Sequence, residues 1–212
     1  MSDDVLEGVP PTRMEFLKLK DKLIRAEKGH RLLKEKRDNL VMEFMNIARE
    51  AYEIADVASE QADRAEHTKA IAGALAGETE IESAALAARA DIGVELEYRN
   101  IMGIKLPRMR MERIRRPADG RGYSLLTTHP SIDSTATEYE KTVERLVELA
   151  ETAKSLEALS DETKKTKRRV NALEYTVIPR LKNTRKNIRM RLDELEREGF
   201  YSRKMIKRKA GG

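Results

Sequence analysis

A seven-residue recurrence constrains this chain more than any other feature. Phe16, Leu23, His30, Arg37, Phe44, Ala51 and Ala58 repeat every seven residues, and Leu19, Ala26, Leu33, Leu40, Ile47 and Ile54 each follow three residues later. Such spacing places one narrow, mostly apolar seam along a single helix. Thr12 and Glu15 form a capping box at its start, in which each side chain can satisfy the other's free backbone N–H. A helix from about residue 12 to about residue 72 would be roughly 90 Å long at 1.5 Å per residue. A rod of that length needs a partner helix of similar length.

The other end of the chain offers one. Thr135 and Glu138 form a second capping box, followed by Tyr139, Val143, Leu146, Ala150, Ala153 and Leu156 on one face. Further on, Val170, Leu173, Val177, Leu181, Thr184, Ile188, Leu192 and Leu195 keep an eleven-residue repeat, which favours a nearly straight or slightly right-handed course. The heptads of the first helix favour a left-handed one, so the pair is expected to twist unevenly. Composition agrees with this architecture. Of 212 residues 37% are charged and only 4% aromatic, with no Trp, so the large side chains of a round core are missing while the requirements of long helices are met. The absence of cysteine excludes disulfides and thiolate metal sites and suits a reducing compartment. No apolar run approaches the roughly 18 residues that suggest a membrane span, and the acidic start "MSDDVLEG" lacks the features of a signal peptide. A soluble, cytoplasmic chain is expected.

The residues between the two helical ends change character. "AIAGALAGETEIESAALAARA" reads as small-residue helix or loop, with Gly73 and Gly77 marking a close helix contact or a helix end. Val94, Leu96 and Tyr98 alternate, as do Ile104 and Leu106 and then Met109 and Met111, which reads as strand. Pro107 weakens the middle of it, and Asp119-Gly120 offers a turn before a second short strand. The fold class is therefore mainly α: a long antiparallel two-helix coiled coil of N- and C-terminal helices with a small middle globular region containing a short β-hairpin. The expected boundaries are 12–75 and 134–205 for the two helices of one discontinuous coiled-coil domain, and 76–133 for the middle.

No catalytic constellation emerges. His30, His67 and His129 are scattered, and neither a metalloprotease motif nor a Gly-rich phosphate loop is present, so catalytic, cofactor and metal sites are expected to be absent. His30 lies at an inward seam position, where a polar residue sets register or pairs across the seam. Charge is more informative. The net value is +5, yet residues 164–209 alone carry 17 basic and 5 acidic side chains, leaving the rest acidic. Within that segment "YTVIPRLKNTRKNIRMRL" places Pro179 in a helical pattern that keeps its phase across it. This favours a tolerated kink over a helix end, with the Tyr175 carbonyl losing its donor at a cost of about 3 kcal/mol. The density of Lys182, Arg185, Lys186, Arg189 and Arg191 marks a docked surface for an acidic partner, either nucleic acid or acidic protein loops. The lack of interleaved aromatics weakens the first.

Three stretches carry a resemblance: "PTRMEFLKLKDKLIRAEKGHRLLKEKRDNLVMEF", "RNIMGIKLP" at 99–107, and "RRVNALEYTVIPRLKNTRKNIRMRLDELERE". In this order they resemble the D-subunit family, the central rotor shaft of archaeal and vacuolar-type rotary ATPases. The resemblance implies an antiparallel coiled coil inserted in a ring of alternating catalytic A and non-catalytic B subunits. The F subunit would bind alongside the middle segment, and the shaft would sit on the C subunit, called d in vacuolar enzymes. On this analogy Pro179, Arg180, Lys182, Arg185, Arg189 and Arg191 face the catalytic ring, while Asn100, Met102, Ile104 and Leu106 lie in the lower stalk. The chain would be non-catalytic, would transmit torque without a cofactor or nucleic acid, and would meet the membrane only through the complex at the inner face of the cell membrane. The alternative is a basic coiled-coil module that binds nucleic acid, with strongly salt-dependent affinity; a structural tether comes third.

Overall fold

The computed structural model describes residues 6, 8–88, 93–112, 114–124 and 126–210, with the backbone alone for 118 and 210. Most of the acidic start lies outside them. Helices α1 (Arg13–Ala76), α2 (Glu78–Ala87), α3 (Pro130–Ala172) and α4 (Ile178–Ala210) dominate, and strands β1 (Gly93–Ile101) and β2 (Ile104–Glu112) form one antiparallel hairpin. The chain divides into two compact units, Met1–Asn39 with Thr163–Gly212, and Leu40–Glu162.

In the first unit, α1 runs antiparallel to α4. Leu19, Leu23, Leu181 and Ile188 form a buried cluster, flanked by Val9, Phe16, Ala26, Ile178 and Leu192. Phe16 and Leu23 hold first heptad positions and Leu19 and Ala26 the fourth, and no residue of the predicted seam from Phe16 to Ala58 is exposed. The helix start follows half of the predicted box. The Glu15 N–H donates to Thr12 Oγ1 at 3.2 Å, but the Thr12 N–H donates to the Pro10 carbonyl and the Glu15 carboxylate accepts from Lys18. The buried Thr184 hydroxyl donates to the Arg180 carbonyl and accepts from the Leu6 N–H, so it carries no unsatisfied polar atom into the seam.

Pro179 is absorbed differently from the simple kink the sequence suggests. Leu173–Val177 forms a π-helical turn in which the Ile178 N–H reaches back five residues to the Leu173 carbonyl. Widening the helix by a residue just before the proline relieves the ring's conflict with the carbonyl of the preceding turn. The helix continues, as the stripe predicted, but the packing residue at this level is Ile178, while Val177 is 38% exposed.

In the second unit, Leu40, Ile47, Leu106 and Leu159 make one cluster and Ala72, Ala84 and Ile132 another. Two expectations about α3 are corrected here. The helix starts earlier than Thr135, at Pro130, where proline is pre-set for the first helical position, and the ring Nδ1 of His129 accepts from the Ser131 N–H as the cap. Thr135 instead lies inside the helix and donates to the Ser131 carbonyl. The stripe Leu146, Ala150 and Ala153 is exposed, and the buried face is built of Thr135, Thr142, Thr152, Ser155 and Leu159. Thr135, Thr142 and Thr152 each donate to a carbonyl of the preceding turn, so they bury as small branched side chains with no unsatisfied hydroxyl. The Gly73/Gly77 pair marks a helix end: Gly77 has φ 89° just after α1 and its N–H donates to the Gly73 carbonyl.

The hairpin turns at Met102-Gly103 and not at Asp119-Gly120. Both turn residues have positive φ, 54° and 87°, as a tight two-residue turn requires, and Asn100 Oδ1 accepts from the Gly103 N–H. Pro107 pairs with Tyr98 in β2, tolerated because each strand of a two-stranded sheet has a free edge. Asp119 and Gly120 lie in a 3-10 turn, and no second strand follows among the described residues; Leu125 lies outside them.

The segment after β2 is pinned by a buried arginine. Arg121 donates from Nε and Nη2 to both Glu140 oxygens, from Nη1 to Asp133 at 3.0 Å, and from Nη2 to Thr137, while the Tyr123 hydroxyl donates to Asp133 at 2.7 Å. Hydrogen bonding to Glu140, ahead of the opposing effect of burial, holds the Arg121 guanidinium above its usual value. Burial, then the Asp133 contact, pushes the Tyr123 phenol from 10.0 to about 12, and burial with the Glu66 contact does the same to Tyr139. Phenols raised in this way favour the folded state below pH 10, and that contribution is lost as pH rises through about 12.

Three outcomes follow from this packing. Leu159→Ala should cost about 2–5 kcal/mol in chemical denaturation, whereas Leu146→Ala should stay within about 0.5 kcal/mol, and equal losses would contradict the observed buried face. Arg121→Ala should cost near the lower end of about 3–5 kcal/mol, because Asp133 and Glu140 keep 31% and 17% exposure. In absorbance titration at 295 nm, Tyr123→Phe and Tyr139→Phe should each remove a phenol that ionises near pH 12.

Candidate functional site

The basic residues of α4 are presented by the same periodicity that packs it. Leu181, Thr184 and Ile188 face the seam, so Lys182, Lys186 and Arg189 point outward while Arg185 stays half-buried at the edge. α1 contributes Phe16 and Lys20 to the same place, and a groove is lined by Phe16, Lys20, Lys182, Asn183, Arg185, Lys186 and Arg189. Lys182 is partly neutralised by Glu27 at 3.1 Å. Lys20, Arg185, Lys186 and Arg189 form no ion pair within the chain among the described residues. Four uncompensated cations around one groove make a focused positive potential suited to carboxylates or phosphates.

The structure sorts the sequence-derived residues into separate places. Lys182, Arg185 and Arg189 share this groove. Arg191 lines another, with Leu6, Gly8, Val9, Pro10, Pro11, Thr184, Asn187 and Ile188. Pro179 is half-buried just after the π-helical turn, and Arg180 is exposed. In the second unit, Asn100 and Met102 shape the hairpin turn, Met102 being 41% exposed. Ile104 is half-buried against the Leu40 cluster and Leu106 is fully buried in it, so these two anchor the hairpin to the helices.

Sequence reasoning missed Lys20 and Asn183 as groove residues. Lys20 comes from the opposite end of the chain, but its offset of one from seam residue Leu19 was a usable signal. It also missed the Arg121 network, whose trace is the polar stripe Asp133, Thr137, Glu140 and Glu144 at helical spacing; Arg115 pairs with Glu144. His30 does pair across the seam, its Nε2 lying 3.4 Å from Glu174 Oε2. Among the described residues no group of three or more His, Asp or Glu is placed to hold a metal ion, and no helix is long and apolar enough to cross a membrane.

Comparison with known proteins sets this geometry in context. The family model for the ATP synthase D subunit matches residues 15–208. The A-type ATP synthase D subunit of Thermococcus gammatolerans is 43% identical over 202 residues, covering 95% of this chain and 94% of that protein. The A-type ATP synthase D subunit of Pyrococcus furiosus is 42% identical over 199 residues, covering 94% and 93% respectively. The protein of the same description from Methanopyrus kandleri is 41% identical over 208 residues, covering 98% and 89%. The match takes in α2, the hairpin, α3 and nearly all of α1 and α4, and so covers every element of the fold: the chain belongs to the D-subunit family of ATP synthases.

Proposed function

We propose that this chain is the central rotor shaft of an A-type ATP synthase, a non-catalytic component that transmits torque between a ring of A and B subunits and the membrane ion-translocating ring. The observation that carries the reading is the groove of uncompensated cations on one face of the α1/α4 pair, in a chain of this family. Acidic loops of the A and B subunits are its partners. The paired helices, 12–75 and 134–205, form the shaft, and the middle, 76–133, forms the lower stalk, where the F subunit binds alongside and the C subunit, or d, receives the end. Asn100, Met102, Ile104 and Leu106 belong to that lower part. The chain touches the membrane only through the complex, at the inner face of the cell membrane, and binds no nucleic acid.

A shaft with cations on one side distinguishes the catalytic interfaces around it. Each orientation favours one set of open and closed interfaces, so nucleotide binding, hydrolysis and release shift which orientation is most stable; imposed rotation runs the same linkage backwards. Contacts must be individually weak for the shaft to leave each position. Exposed ion pairs of roughly 0–1 kcal/mol bias an angle without locking it.

Arg185→Glu with Arg189→Glu, introduced together, should weaken retention of the chain in the A/B ring about tenfold, the effect of about 1.4 kcal/mol, or lower the ion transport obtained per ATP hydrolysed. Unchanged assembly, ATPase rate and ion coupling in the reconstituted complex would refute the assignment of this face. Salt-sensitive binding of the wild-type chain to DNA or RNA, with no affinity for the ring, would favour a nucleic-acid-binding module instead.

A further inference from the structure

Four features of the first unit coincide at one level. Gly29 lies in the interior of α1, and a Cβ built there meets nothing within 4 Å. Its backbone is helical and no positive φ requires glycine. Within the chain neither close approach nor an unusual conformation accounts for it, and its local physical effect is that glycine gives a helix more backbone freedom than alanine does. Beside it, His30 holds an inward seam position that is otherwise apolar toward the helix start, and the apolar cluster ends at Ala26 on α1.

On the opposite helix, the π-helical turn Leu173–Val177 and Pro179 sit together. The turn replaces four-residue hydrogen bonds with a five-residue one, and the proline removes a donor, so the ladder is weak over consecutive residues. His30 fixes the relative level of these two weak points, because its ring nitrogen contacts Glu174 inside the wide turn. A weakened stretch of one helix therefore lies beside a weakened stretch of its partner. A packed pair of helices stays stiff where one member's weakness is backed by the other's regular ladder; here neither is backed.

We propose that the first unit contains a bending joint where Gly29 and His30 of α1 meet the wide turn Leu173–Val177, and that the His30–Glu174 contact is its latch. The joint is adjacent to the firm cluster of Leu19, Leu23, Leu181 and Ile188, so bending is confined and does not spread through it. That the joint takes up twist between catalytic dwells rests on the rotor reading above.

Hydrogen exchange on the full chain tests the joint itself. In the wild type, amides at 27–33 and 171–178 should exchange faster than those at 17–24 and 181–190. Gly29→Ala should slow exchange at 27–33 about fivefold, since its added methyl meets open space. Glu174→Ala should speed exchange at both 171–178 and 27–33, because the latch joins them. Exchange at 27–33 as slow as at 17–24 in the wild type, or no effect of Glu174→Ala on α1, would overturn the joint. In the reconstituted complex, Gly29→Ala should narrow the angular spread of single-molecule dwells. An unchanged spread together with slowed exchange would overturn the role in rotation. Failure of the wild-type chain to enter the A/B ring would overturn the rotor reading and leave exchange to decide the joint.

Discussion

A helix of 64 residues cannot bury its own apolar stripe, and everything else in this protein depends on how that stripe is covered. The cover is supplied by antiparallel helices from the other half of the chain, α4 in one unit and α3 in the other. A seam this narrow leaves most of each helix in water, so the outward faces are free to be charged. Lys182, Lys186 and Arg189 are outward for the same reason that Leu181, Thr184 and Ile188 are inward. The surface proposed to meet the catalytic ring is thus a direct consequence of the packing.

How much of this was legible in the sequence varied with how local the deciding interaction was. The α1 seam was fully legible, because heptad spacing and burial are set by one helix's own geometry. The α3 face was misread: Leu146, Ala150 and Ala153 look like a seam, yet Thr142, Thr152 and Ser155 are the buried residues. Hydropathy cannot see that a threonine hydroxyl is satisfied by its own helix, which removes most of the cost of burying it. The hairpin was expected, but its turn was placed at Asp119-Gly120, since Met102 is an unusual residue for positive φ and gives little turn signal. Arg121 could not have been found from spacing alone, because its partners lie on a helix that begins nine residues later.

The same distinction applies to the functional surface. The density of basic residues between Lys182 and Arg191 was visible, and so was its bias toward an acidic partner. That Lys20 joins it while Arg191 faces a different groove required the register of the antiparallel pair, which the expected pairing alone does not set. The proline was legible as a tolerated interruption, but the π-helical turn that accommodates it was not, since that depends on which backbone donors find acceptors. Stiffness and interruption are both present in the first unit: a firm apolar cluster lies beside a weak level marked by Gly29, His30 and Glu174.

The most direct test of the account is reconstitution of the chain with purified A and B subunits, with and without the F subunit, read by size exclusion and ATP turnover. The account predicts one copy per ring of three A and three B subunits, with altered turnover when the shaft is present. No association with the ring at low salt would contradict it.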